Sequence, residues 1–251
     1  MLPKRCEMQS KCICIIPARG GSKRIPRKNI KEFCGIPMLA HSIQIAKKSG
    51  IFDAILVSTE DSEISKIAIN YGAGVICRPT HLSDDYTGTR EVILHAIDLL
   101  PTFFAMREEG DSDELLDATQ IWVCCLYATA TLLDFHTLQS ALQRAKEEAQ
   151  GCYCFSAVEY DYSPFRAFSI QEGKNAMLFK EHFAKRSQDL EKIYHDAGQF
   201  YFATAQTWWN RENIFEDSVS IVLPPMRVQD IDTLEDWKLA ELKFKCLNQD
   251  C

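Results

Sequence analysis

The sequence predicts an α/β fold in which one mostly parallel sheet carries helices on both faces. Two observations predict it. Short apolar runs of strand length alternate with helix-spaced amphipathic segments through most of the 251 residues, the rhythm of strand–helix–strand units. The charged and polar loops follow the strand-like runs directly, where open sheets of this kind place their sites. A chain of this length can bury the core of one large domain, so residues 1–251 are read as a single unit.

The elements follow in order. Residues 13–16 read as a buried strand, and 37–48 have helical spacing at Leu39, Ile43 and Ala46, with Gly50 as a C-terminal cap. A second strand is expected at 54–58, then a helix capped by Asp61 and running through Asn70. Residues 74–77 read as a third strand ending in Arg78-Pro79, and 89–100 as an amphipathic helix. The stretch 101–119 is acidic and reads as a surface loop or a fraying helix end. A central strand at 121–126, a helix at about 134–150 and a strand at 152–158 restore the rhythm. It loosens again over 159–195, which reads as an excursion serving as a lid or an oligomer arm. Strands at 199–203 and 221–223 and a closing helix at 233–246 complete the chain.

Between the first strand and the first helix lies a loop with two adjacent glycines and five cations, Arg19, Lys23, Arg24, Arg27 and Lys28. Glycine amides close to an anion, flanked by Arg and Lys, suit a polyphosphate; a solvated basic turn is the alternative. The spacing matches neither G-x-x-x-x-G-K-[ST] nor G-x-G-x-x-G. Net charge is −7, from 28 basic and 35 acidic residues, so the loop points to a small anion rather than nucleic acid. No apolar run reaches the roughly 18 residues of a membrane span. The polar start, MLPKRCEMQSK, lacks the apolar core of a signal peptide. With eleven cysteines, this suggests the cytoplasm, free thiols and a core role for Cys12, Cys14, Cys124, Cys125, Cys152 and Cys154, metal ligation being the lesser alternative.

Two further groups stand out. In an extended segment Asp230 and Asp232 point to one side, and two carboxylates can hold a magnesium ion that is also bound by phosphates. The competing role for Asp232 or Thr233 is to cap the closing helix. The run 185–201 is rich in hydrogen-bonding side chains: Arg186 could clamp a carboxylate, and Gln188, His195 and Gln199 could read hydroxyl or amide groups; an ordinary polar surface is the alternative.

The stretch Ile15-Ile-Pro-Ala-Arg-Gly-Gly-Ser-Lys-Arg-Ile-Pro-Arg-Lys-Asn29 resembles the signature of the cytidylyltransferases that activate nonulosonic acids, the CMP-sialic acid synthetase family. Arg78-Pro79 with Leu82-Ser83-Asp84-Asp85, and Val228-Gln-Asp-Ile-Asp232, resemble that family's cytidine and metal segments. Tyr127-Ala-Thr-Ala130, Arg186-Ser-Gln-Asp-Leu190 and Tyr194-His-Asp-Ala-Gly-Gln-Phe-Tyr201 look most like its pseudaminic acid branch; Thr131 departs from the proline expected there. The resemblance covers about residues 12–240. It implies a three-layer Rossmann-like nucleotidyltransferase that joins CTP and a nonulosonic acid into a CMP-sugar and pyrophosphate with Mg2+, as a homodimer whose 159–195 arm reaches the partner's site. By the same resemblance Arg19, Gly20, Gly21, Ser22, Lys23, Lys28 and Asn29 would bind the triphosphate, and Arg78 and Ser83 the base and ribose. Asp230 and Asp232 would hold the metal, with Arg19, Lys28 and Asp232 catalytic. Arg186 would take the sugar carboxylate, Gln188, His195, Gln199 and Tyr201 would surround the acylamino groups, and Tyr127 and Thr129 would also bind the sugar. The rival readings are the same reaction on N-acetylneuraminic or legionaminic acid, a non-catalytic nucleotide-binding protein, and a glycosyltransferase with a D-x-D pair.

Overall fold

The computed structural model describes residues 10–105, 118 and 120–248. In chain order the elements are β1 (Lys11–Pro17), the ribbon β2 (Glu32–Phe33) and β3 (Ile36–Pro37), α1 (Met38–Ser49), β4 (Ala54–Thr59), α2 (Ser62–Asn70), β5 (Gly74–Cys77), α3 (Thr89–Asp98), α4 (Leu100–Ala105), β6 (Ile121–Leu126), α5 (Phe135–Glu148), β7 (Cys154–Glu159), the hairpin β8 (Phe168–Gln171) and β9 (Lys174–Met177), β10 (Tyr194–Thr204), α6 (Ala205–Asn210), β11 (Val219–Val222) and α7 (Leu234–Asn248). Among the described residues, one seven-stranded sheet has the order β11-β7-β10-β6-β1-β4-β5. All its strands run the same way except β10, which is antiparallel to β6 and β7.

The alternation of β1 sets the three layers. Cys12, Cys14 and Ile16 face one cluster with Leu39 and Ile43 of α1, Ala68 of α2 and Leu138 of α5. Ile13 and Ile15 face the other, with Ile93 of α3, Leu100 of α4 and Trp208 of α6. The cysteines expected in the core are there: Cys12, Cys14, Cys124, Cys125 and Cys154 are buried, and Cys152 packs against them half-buried. Local chemistry ends the helices as the sequence suggests. Gly50 closes α1 at φ 65°, and the Asp61 carboxylate accepts from the Glu63 and Ile64 amides at 2.9 Å to open α2.

The structure departs from the sequence expectation in several places. The helix expected at 89–100 breaks at Asp98 and restarts as α4, because Pro101 lacks an N–H and clashes with a continuing turn. The strand expected at 199–203 starts earlier, at Tyr194. The excursion holds a hairpin whose two-residue turn, Glu172-Gly173, has φ 51° and 76°, the mirror-image geometry that fits twisted strands. Of the acidic stretch, residues 106–117 and 119 lie outside the described residues, and its start is α4.

A small third cluster matters most for function. Ile25 from the basic loop, Phe33 from β2, Ile231 and Trp237 of α7 are each at most 4% exposed and pack together. The Phe33 and Trp237 rings meet edge to face at 5.4 Å. This apolar knot pins the basic loop against the segment that carries Asp230 and Asp232.

Candidate active site

The carboxyl ends of the six co-directional strands and the start of β10 share one edge of the sheet, so their loops converge as expected. They line two cavities, and residues 230–232 adjoin both: Asp230 lines one, and Ile231 and Asp232 contact Lys28 of the other.

The first cavity, about 370 Å³, is lined by Arg19, Ser22, Lys23, Arg24, Lys28, Asn29 and Asp85. Its cations are held by acceptors. Arg19 Nη1 donates to the Asp84 carbonyl at 2.6 Å and pairs with Asp85 at 2.7 Å. Lys23 pairs with the other Asp85 oxygen, and the two cations hold the Asp85 carboxyl below the usual range. Arg24 pairs with Asp232 at 2.6 Å. Lys28 Nζ donates to the Ile231 carbonyl at 2.7 Å and lies 3.8 Å from Asp232. Burial lowers the Lys28 pKa, while Asp232 and Asp230 oppose that shift. Asn29 Nδ2 donates to the Arg19 carbonyl at 2.9 Å and braces the loop. The Gly20 amide donates to Glu60 Oε1 at 2.8 Å, and the loop is packed so closely there that a Cβ on Gly20 would stand 2.5 Å from Asp61 Oδ2. Gly21 has open space where its Cβ would be.

The second cavity, about 430 Å³, gathers the predicted Tyr127, Thr129, His195, Gln199 and Tyr201 with Asp230. Burial pushes the Tyr127 phenol up to about 12, and Tyr127 shares a 2.8 Å hydrogen bond with Thr89 Oγ1. Gln199, only 2% exposed, donates from Nε2 to the Ala197 carbonyl at 2.7 Å. Seven predicted residues line neither cavity: Gly20, Gly21 and Asp232, which adjoin residues of the first, and Arg78, Ser83, Arg186 and Gln188. Arg78 is 5% exposed and turned inward, with Nη2 donating to the Ser58 carbonyl at 2.9 Å and Nε buried without a partner. Ser83 Oγ donates to the Pro79 carbonyl at 3.2 Å. Arg186 and Gln188 are exposed on the 159–195 arm.

The capping alternative for Asp232 is resolved by its neighbours. Thr233 Oγ1 accepts from the Asp236 amide at 3.2 Å, and Asp236 reaches back to the Thr233 amide at 2.8 Å, a reciprocal cap. The Asp232 carboxylate is thereby left for Arg24 and Lys28. Burial and the like charge of Asp232 raise the Asp230 pKa. Among the described residues no cluster of three or more His, Cys, Asp or Glu gathers to hold a metal unaided. Two hard carboxylates are nonetheless the number magnesium takes when phosphate oxygens and water complete its shell.

Sequence reasoning named Arg24 only as a loop cation, quoted Asp85 and Asp196 only inside longer motifs without a role of their own, and missed Glu60 and Lys243. The Arg24 signal was its place among the loop cations; for Asp196 and Lys243 only the tertiary fold brings them to the second cavity, where Lys243 Nζ donates to the Pro225 and Val228 carbonyls at 3.1 and 2.8 Å.

This architecture has relatives. The profile of the cytidylyltransferase family matches residues 13–234. A pseudaminic acid cytidylyltransferase of Campylobacter jejuni is 43% identical over 94% of this chain and 97% of its own. A CMP-N,N'-diacetyllegionaminic acid synthase of Legionella pneumophila is 33% identical over 95% of this chain and 97% of its own. A solved structure of CMP:2-keto-3-deoxy-manno-octonic acid synthetase complexed with CTP has the same fold, with a TM-score of 0.62 over 93% of this chain and 98% of that one at 14% identity. The family match, spanning both cavities and the sheet that positions them, makes this chain a member of the cytidylyltransferase family.

Proposed function

We propose that this cytidylyltransferase transfers CMP from CTP to the anomeric hydroxyl of pseudaminic acid, with Mg2+, in the cytoplasm and as a homodimer. The observation that carries the reading is the position of Asp230 and Asp232 between a basic cavity and an acceptor-rich one. A triphosphate in the first and a sugar acid in the second would meet at these carboxylates. The name and the near-complete coverage of the Campylobacter jejuni relative favour pseudaminic acid.

In this reading the triphosphate displaces Asp85 from Arg19 and Lys23. The anomeric oxygen attacks the α-phosphorus, the bond from phosphorus to the bridging oxygen breaks, and pyrophosphate leaves as the hydroxyl gives up its proton to water. Lys28, fixed by the Ile231 carbonyl, offsets charge developing on the leaving group, together with Arg19. Asp230 and Asp232 would hold magnesium, which when bound makes the phosphorus more electrophilic. Asp232 also keeps Arg24 and Lys28 aimed at the junction. Arg78 and Ser83 would shape the cytidine side. The arm exposes Tyr162, Phe168, Ile170, Leu178 and Phe183; covering this apolar surface with a second copy would carry Arg186 and Gln188 toward the partner's sugar cavity.

The test is pyrophosphate release with CTP and magnesium on pseudaminic, legionaminic and N-acetylneuraminic acids in parallel. Fastest turnover with pseudaminic acid is expected. Preference for another acid would reassign the second cavity, and no release with any of the three would sink the reading.

A further inference from the structure

The second cavity is rich in acceptors beyond what phosphate chemistry needs. Glu159, Asp161, Asp196 and Asp230 line it, against the single lysine Lys243. Glu159 is paired with Lys192 at 2.9 Å, and Asp230 belongs to the carboxylate pair at the junction. Asp196 has no such duty, yet the fold invests in its placement.

Across the β10–β7 ladder Asp196 pairs with Ala157 and Tyr201 with Phe155. Five steps along β10 thus span two along β7. The surplus bulges out through Gly198 at φ 59°, and Ser156 Oγ accepts from the Gln199 and Phe200 amides at 3.1 and 3.2 Å. In a regular strand residues five apart face opposite sides. Here both lie opposite residues of one face, so their side chains meet. Asp196 Oδ2 accepts from the Tyr201 hydroxyl and Oδ1 from the Gly198 amide at 2.9 Å. An ionised carboxylate offers roughly four acceptor sites, so this anchored group has capacity left on a cavity wall. It can accept but not donate. An amide N–H is its complement, because it donates only, whereas a sugar hydroxyl can do either.

We propose that Asp196 is a specificity-determining residue that accepts the N–H of an acylamino group on the acceptor sugar, with Tyr201 holding the carboxylate in position. This rests on the acceptor being an acylamino sugar acid, as proposed above. The experiment measures calorimetric binding and steady-state kinetics of wild type, Asp196→Asn and Tyr201→Phe with CTP and with pseudaminic and N-acetylneuraminic acids. Loss of a charged hydrogen bond predicts that Asp196→Asn weakens pseudaminic acid about 10- to 100-fold. CTP binding should stay within about twofold, well under the tenfold step that 1.4 kcal/mol represents. The loss should be smaller for a sugar presenting a hydroxyl at the same place. If Asp196→Asn does not fold, Tyr201→Phe keeps the carboxylate and loses one neutral anchor, and should still weaken the sugar by about threefold or more. Unchanged sugar affinity, or equal losses for sugar and CTP, would overturn the assignment. Failure of the wild type to bind any acylamino sugar acid would instead overturn the underlying reading.

Discussion

The two cavities that meet at residues 230–232 are built on opposite plans. The basic one comes almost whole from one loop, residues 19–29, with Asp85 closing it. The acidic one is assembled from the loop after β6, β7, β10, the loop after β11 and α7. In the first, like charges crowd together: Arg19 and Lys23 share the Asp85 carboxylate, and Arg24 pairs with Asp232. Phosphate can replace those partners oxygen for oxygen, so the binding energy there is a difference between two ionic states. In the second, shape and hydrogen-bond polarity rather than net charge select the guest. In the proposed reaction a nucleotide common to many reactions would meet a local, charge-dense site, whereas the distinguishing sugar would meet a composite one.

The largest test of that contrast is Lys28, the cation at the junction. Lys28→Met should lower kcat by about 10² to 10³, the usual cost of one preorganised charge-stabilising donor, while sugar affinity changes little. Burial lowers the Lys28 pKa in the free protein, so the ammonium is lost, and kcat/KM for CTP falls, as pH rises through a value below the ordinary lysine range. Lys28→Arg stays charged and should lose this alkaline limb. Rate–pH profiles check both variants; an unchanged limb in Lys28→Arg would assign it to another group.

A smaller effect separates the two adjacent glycines. A Cβ on Gly20 would meet Asp61 Oδ2 at 2.5 Å and Arg27 Nη1 at 3.1 Å, whereas one on Gly21 meets nothing within 4 Å. Gly20→Ala should cost about 1–3 kcal/mol of overpacking and raise the CTP KM by shifting the loop. Gly21→Ala should melt within about 0.5 kcal/mol of wild type. Equal effects would mean that the glycine pair serves the phosphates by backbone approach alone.

The same contrast explains what could be read before the structure. Gly50 and Asp61 announced their caps because the signal and its effect are adjacent in the chain. The basic loop announced itself because five cations follow one buried run. Asp232 was ambiguous, since capping and ligation ask for the same residue, and only the Thr233–Asp236 reciprocal cap frees it. The reversal of β10 left no trace, because a strand reads alike in either direction. Asp196 and Tyr201 look unrelated at a spacing of five until the bulge resets their parity. Lys243 belongs to a helix face whose other residues are ordinary. Residues that act through remote partners become visible only when the sheet order is known.

The smallest predicted effect concerns Arg27, the loop cation that turns away from the basic cavity. It stands at φ 57°, a conformation few side chains adopt. Its guanidinium is tied to both oxygens of Asp61 and, at 2.6 Å, to Glu63. Arg27 chiefly holds the Asp61 carboxyl down to about 2, below its ordinary value near 4. The pair therefore contributes stability above about pH 4 and loses it as pH falls toward about 2. Arg27 is 39% exposed at its side chain, and solvent screening limits the contribution to about 1 kcal/mol. Asp61→Asn keeps a capping oxygen for α2 but removes the charge, so chemical denaturation should show wild type ahead by about that amount at pH 6–7 and level with the variant near pH 2. A pH-independent gap would mean that the side chain matters to α2 as a cap. A closing gap would show that it secures the turn from which Lys28 reaches the junction.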